Sequence, residues 1–212
     1  MIFASGQSQM TFLDALARES DIDWSRVVCF NMDEFYDPRM PFEYTCGYQT
    51  TTQLYNKVRP SRIHLLQHDA KNPQAEASRF EAVLKSEGLP DILCQGIGTS
   101  GHLAFNEPDD TDFKSQCRVR VTQVTEQSQI QLMDDPNFMQ LGYIPQTGIT
   151  MTIPALISAR YRFTMVPLAL KRPIIKKLFT LKHATKRLPA SILLTVDGTL
   201  YLDQNSCPES IG

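Results

Sequence analysis

Much that would classify this chain quickly is missing from it. No apolar run approaches the ~20 residues that a membrane-spanning helix requires, so no membrane partner is expected. Lys and Arg number 21 against 23 Asp and Glu across 212 residues, and both signs are spread along the sequence. There is thus no basic stripe of the kind that binds nucleic acid. The five cysteines (Cys29, Cys46, Cys94, Cys117 and Cys207) are odd in number and scattered, and no CxxC pair occurs. Neither a zinc site nor a disulfide framework is expected; buried thiols in a reducing cytoplasm fit best. Internal repeats, low-complexity runs and linker-like stretches are also lacking, which favours one domain over residues 1–212. No charged n-region followed by an apolar h-region opens the chain, so Met1-Ile2-Phe3-Ala4 reads as a strand and not as a signal peptide.

What is present is an alternation of short apolar runs with helical patterns. Ile2-Phe3-Ala4, Val27-Val28-Cys29-Phe30, Ile63-His64-Leu65-Leu66, Asp91-Ile92-Leu93-Cys94, Val119-Arg120-Val121-Thr122, the run from Gly148, and the run from Tyr161 read as strands. Helices are expected from Met10, with Ser8 as N-cap, over 72–86 behind Asn72-Pro73, over 155–159, and from Lys171 to about Thr180. Ser191-Ile192-Leu193-Leu194 and Thr199-Leu200-Tyr201-Leu202 read as closing strands around an Asp197-Gly198 turn. Residues 38–59, rich in aromatics and polar groups, read as a partly helical lid or insertion. The alternation predicts a three-layer α/β/α architecture, a Rossmann-like and mostly parallel sheet with helices on both faces.

The richest stretch is Gly96-Ile97-Gly98-Thr99-Ser100-Gly101-His102-Leu103-Ala104-Phe105-Asn106-Glu107-Pro108. A strand that ends in a glycine turn bearing an imidazole and a carboxylate presents acid–base groups at a sheet edge. Gly96-x-Gly98-x-x-Gly101 also matches the dinucleotide fingerprint, but Pro108 stops any helix, and no carboxylate lies ~20 positions after Gly101 for a ribose. Asp33 and Glu34 follow a buried strand, where partial burial would raise a carboxyl pKa toward that of a general base. Ser5-Gly6-Gln7-Ser8-Gln9, ahead of a helix, has the small hydroxyls and backbone amides that suit a phosphate monoester. Lys171 would add a positive charge to such a pocket, although a solvated lysine reads equally well from spacing alone. His64 and His68 lie four apart in a strand-like context with no third ligand, so no metal site is read there.

Phe30-Asn31-Met32-Asp33-Glu34-Phe35 and the glycine-turn segment through Phe105-Asn106-Glu107-Pro108 together resemble the glucosamine-6-phosphate deaminase/isomerase family, a branch of the 6-phosphogluconolactonase superfamily. Weaker similarity runs from Ile2 to Asp203. The resemblance implies conversion of a 2-amino-2-deoxyhexose 6-phosphate to a ketose 6-phosphate and ammonia, with no metal or redox cofactor. It implies Asp33 as the base between C2 and C1, His102 as the ring-opening group, and Glu107 as the carboxylate that orients it. Ser5, Gly6, Gln7 and Ser8 would form the phosphate loop and Lys171 its lysine. The implied partner is a phosphorylated amino sugar, and homo-oligomers occur in the family. Rival readings are the galactosamine epimer, a lactonase, and a non-catalytic sugar-phosphate binder.

Three departures from the family pattern stand out. Ser100 occupies the place of the usual Asp or Asn in the catalytic turn, which removes a second carboxylate beside the histidine. A phosphate-binding arginine has no match, since alignment brings Asp134 to its place. A usual N-terminal helix is not found ahead of Ile2, and this is read as a truncated start.

Overall fold

Successive side chains of a strand face opposite ways, and strand β1 (Ile2–Phe3), only two residues long, sends Ile2 into one layer of core and Phe3 into another. The computed structural model describes residues 1–88, 90–108, 110–133 and 136–209. The same division repeats along β2 (Val28–Asn31), where Cys29 and Phe30 part, and along β5 (Ile92–Gln95), where Leu93 and Cys94 part. These strands lie in a six-stranded sheet of order β4-β2-β1-β5-β8-β9, with β4 at Arg62–His64, β8 at Tyr161–Val166 and β9 at Thr199–Leu202. Every pairing in it is parallel. Three further strands, β3 (Asp33–Tyr36), β6 (Val119–Gln123) and β7 (Thr147–Met151), form an antiparallel sheet of order β3-β7-β6.

Helices cover both faces of the parallel sheet. On the Phe3 side lie α1 (Met10–Leu16) and a longer helical stretch, in which α2 (Cys46–Thr50) widens into a π turn (Thr51–Tyr55) and ends in α3 (Asn56–Val58). On the Ile2 side lie α4 (Pro73–Glu87), α7 (Ile153–Ile157) and α8 (Arg172–Thr180). Asn72 and Pro73 begin α4 as their chemistry dictates: the Asn72 side chain accepts the Ala75 N–H at 2.9 Å, and proline holds the first helical φ. Ala77, Phe80 and Leu84 then fall on one face and are buried. Two helices, α5 (Glu126–Met133) and α6 (Pro136–Leu141), stand beside the small sheet. No helix of the described residues is long and apolar enough to cross a membrane.

Two local expectations are corrected. Residues 191–194 are not a strand but part of a 3-10 segment, Pro189–Thr195. Pro189 presets a helical φ, and the Ser191 hydroxyl, bonded to both the N–H and the C=O of Thr185, curls the backbone in. Asp197-Gly198 therefore closes no hairpin; β9 runs parallel to β8, and Gly198 passes so near the Arg162 carbonyl that a Cβ would sit 3.0 Å from it. Ser8 is likewise no helix cap. It lies inside a 3-10 turn (Gln7–Gln9), and no side chain caps either that turn or α1.

From the central β1 the chain proceeds outward to β2 and β4 on one side, and later to β5, β8 and β9 on the other. The order of strands reverses between β1 and β5. Ligands of open parallel sheets bind at such a crevice, outside the carboxyl ends of the strands.

Candidate active site

The loop after β1 holds Ser5, Gly6, Gln7 and Ser8; β2 gives way to Asp33; β5 runs into the glycine turn; and β8 leads to Lys171. All the sequence-predicted groups therefore stand at one edge of the sheet. In strand order the β1 loop separates Asp33 from His102, whose strands are two spacings, about 10 Å, apart.

The glycine turn is built to seat one imidazole. Gly98 lies under the His102 ring, where an added Cβ would meet Nε2 at 2.0 Å, so any side chain there would push the ring from its place. Gly101 adopts φ +87°, the left-handed region that favours glycine. Downstream, the buried Asn106 donates to Leu103 O and Met151 O, each at 2.8 Å, and so pins the 103–106 turn to β7. Ala104 takes a left-handed φ of 49° within it. Glu107 is thereby delivered to the Nδ1 edge of the ring, with its Oε1 2.7 Å from His102 Nδ1.

Glu107 collects three donors. The Ser100 hydroxyl donates to Oε2 at 2.7 Å, the Ser128 hydroxyl of α5 donates to Oε1 at 2.5 Å, and His102 supplies Nδ1–H. Together they hold its carboxyl at about 2, against the upward push of burial. With Nδ1–H committed, Nε2 is the free acid–base atom of His102. Ser100 Oγ also lies 3.0 Å from Nδ1, the nitrogen Glu107 uses, and its own proton goes to Glu107. A nucleophilic serine would need the opposite ring nitrogen as its base, so the geometry makes Ser100 a hydrogen-bond partner of the dyad and not a poised nucleophile. Where a second carboxylate is missing, two hydroxyls steady Glu107.

Asp33 sits where the chain leaves the parallel sheet for the antiparallel one, paired with Thr150 of β7. It is buried at 9% exposure, and burial raises its pKa from 3.8 to about 7, with the charge of His102 opposing. Its neighbour Glu34 has a different task. Glu34 accepts the N–H groups of Phe35 (2.9 Å), Cys46 (2.9 Å) and Gly47 (2.7 Å), and so fastens the start of α2 to the sheet edge. Burial still pushes Glu34 upward.

Lys171 ends a 3-10 turn (Ala169–Lys171) after β8 and is 7% exposed. Among the described residues it has no ion-pair partner, and burial lowers it to about 8. The β1 loop reaches over β5 toward this strand: Gln9 Nε2 donates to Met165 O at 3.0 Å. A buried ammonium without a counter-ion is ready to take an anion. Asp134 lies outside the described residues. His64 and His68 have ordinary partners, Glu87 at 3.0 Å and Met40 O at 2.9 Å.

Residues 1–202 match the family described as glucosamine-6-phosphate isomerases/6-phosphogluconolactonase. The chain belongs to this family. A glucosamine-6-phosphate deaminase of Halothermothrix orenii is 28% identical over 209 residues, covering 96% of this chain and 84% of that protein. A solved structure described as a monomeric glucosamine-6-phosphate deaminase superposes with a TM-score of 0.85 at 25% identity, over 97% of this chain and 85% of that one. A 6-phosphogluconolactonase from Thermotoga maritima shares the fold, with a TM-score of 0.73 at 16% identity over 95% and 83% of the two chains.

Within this glucosamine-6-phosphate isomerase and lactonase family frame, two contacts were not anticipated from sequence. Ser128 gave no signal, being one polar residue in the polar run Glu126-Gln127-Ser128-Gln129. Gln49 of α2 accepts the Gly6 N–H at 2.6 Å, and a residue 43 positions away has no local pattern by which to be found.

Proposed function

We propose that the protein is an amino-sugar phosphate isomerase/deaminase, which converts glucosamine 6-phosphate and water to a ketose 6-phosphate and ammonia. His102 Nε2, held by Glu107, opens the pyranose by moving a proton between the anomeric hydroxyl and the ring oxygen. Asp33 takes the proton from C2 and returns it to C1. The resulting C2 imine is hydrolysed, water supplying the carbonyl oxygen and nitrogen leaving as ammonia. The loop Ser5-Gly6-Gln7-Ser8 and Lys171 receive the phosphate.

The observation that carries this reading is the pairing of two independent acid–base groups on one sheet edge, a His–Glu dyad and a carboxyl group near 7. A lactone hydrolysis needs a base for water and has no evident use for Asp33 as a second proton carrier. All these groups come from one chain, which suits a reaction carried out by a monomer. The unpaired cysteines fit a cytoplasmic enzyme.

Turnover of glucosamine 6-phosphate, galactosamine 6-phosphate and 6-phosphogluconolactone should be compared side by side. Ammonia and ketose from glucosamine 6-phosphate are expected. Hydrolysis of the lactone alone, or turnover of none of the three, would overturn the reading.

A further inference from the structure

The first turn of α2 is fastened to the carboxyl edge of the sheet at three places. Glu34 accepts the Cys46 and Gly47 amides, Asn31 at the end of β2 bonds Thr50 at 2.9 Å, and Gly6 of the β1 loop donates to Gln49 Oε1 at 2.6 Å. The Ser5 side chain also reaches the Cys46 thiol. The loop and the helix thus form one wall of the crevice. The 2.6 Å bond fixes the orientation of the Gln49 amide, because a backbone N–H must meet the carbonyl oxygen and not the NH2 group. Gln49 Nε2, with two N–H donors, has no partner among the described residues. These donors stand at the β1 loop, where the one cation assigned to the anion is the buried Lys171.

We propose that Gln49 is a substrate-binding residue, whose fixed side-chain NH2 donates to the phosphate group held at the Ser5-Gly6-Gln7-Ser8 loop. This rests on the sugar-phosphate reading above. Gly6 then serves indirectly: its N–H is committed to Gln49 and aims the NH2, while the loop hydroxyls and Lys171 meet the anion. Two neutral donors supplement the single positive charge.

Glutamate at position 49 separates binding from mere architecture. Gln49→Glu keeps an acceptor for the Gly6 N–H but replaces the donors with a negative charge. Calorimetry with inorganic phosphate and steady-state kinetics on glucosamine 6-phosphate should be run on the wild type, Gln49→Glu and Gln49→Met. For Gln49→Glu, Kd for phosphate and KM should rise ~10-fold or more, the equivalent of one charge-assisted contact turned repulsive. Its kcat and melting temperature should stay near wild type. Gln49→Met, which removes the donors and also the acceptor of the Gly6 N–H without adding charge, should weaken phosphate binding by about 3- to 10-fold. Phosphate binding by either variant equal to wild type would overturn the inference and leave Gln49 a structural tie. A wild type that binds phosphate but does not turn over the amino sugar would sink the proposed reaction while leaving Gln49 to be judged on phosphate alone. A wild type that binds no phosphate would overturn the anion site and Gln49 with it.

Discussion

Asp33 is costly to its own fold. A carboxyl raised from 3.8 to about 7 by burial is destabilised whenever it ionises. Its proton is retained longer in the folded state than in the unfolded one, so the stability it permits is present below about pH 4 and lost as pH rises through 7. Asp33→Asn should therefore stabilise the protein by about 2–4 kcal/mol at pH 8 and by little at pH 4, as denaturant unfolding at the two pH values will measure. A variant no more stable than wild type at pH 8 would mean that Asp33 is not strained by burial. Glu107 is the opposite case, held at about 2 by its donors. Ser128→Ala deletes one donor to a charged acceptor, a contact worth roughly 1.5–3 kcal/mol. It should lower kcat about 10-fold or more with KM little changed, and Ser128→Thr, which restores the hydroxyl, should recover most of the rate. Equal losses in the alanine and threonine variants would argue against the hydroxyl.

At the scale of elements, the site depends on how α2 is attached. Its first two amides end on a side chain, Glu34, instead of on backbone. Glu34→Ala leaves three buried N–H groups without their acceptor, and each such group costs ~1–3 kcal/mol. A loss of about 3 kcal/mol or more in unfolding free energy is expected, with KM raised because Gln49 and the loop lose their register. Unfolding that matches wild type would show that α2 is held by its apolar face alone. Elements of this kind were unevenly legible. Asn72-Pro73 announced α4 because a cap and an N1 proline act within four residues, and the Ile2, Phe30 and Leu93 runs announced strands because they are buried on both faces. Residues 191–194 misled because four apolar residues suit a strand or a tight helical turn equally, and the deciding bond from Ser191 to Thr185 leaves no trace in apolar periodicity.

At the scale of the molecule, the strand order β4-β2-β1-β5-β8-β9 gathers groups more than a hundred residues apart onto one edge. Asp33, His102 and Glu107 stood out as candidates in the sequence because each sits in a dense local motif. Ser128 and Gln49 were invisible because their partners, Glu107 and Gly6, are supplied by folding. The gathered site also predicts its own pH range. On the proposed mechanism, catalysis requires Asp33 ionised, above about 7, and phosphate binding requires Lys171 protonated, below about 8. The value of kcat/KM, which reports the free enzyme, should peak in that window and fall on both sides. A bound dianion stabilises the ammonium, so the alkaline limb should shift upward or vanish in kcat. A kcat/KM profile flat from pH 6 to 9 would contradict both assignments.

The central claim is that Asp33 moves the proton between C2 and C1. Ammonia release from glucosamine 6-phosphate by wild type and by Asp33→Asn, at pH 7.5 and saturating substrate, tests it most directly. Removing a general base typically costs ~100- to 10,000-fold, so turnover by the wild type and a loss of that order in a folded variant are predicted. Equal rates for the two proteins would contradict the account.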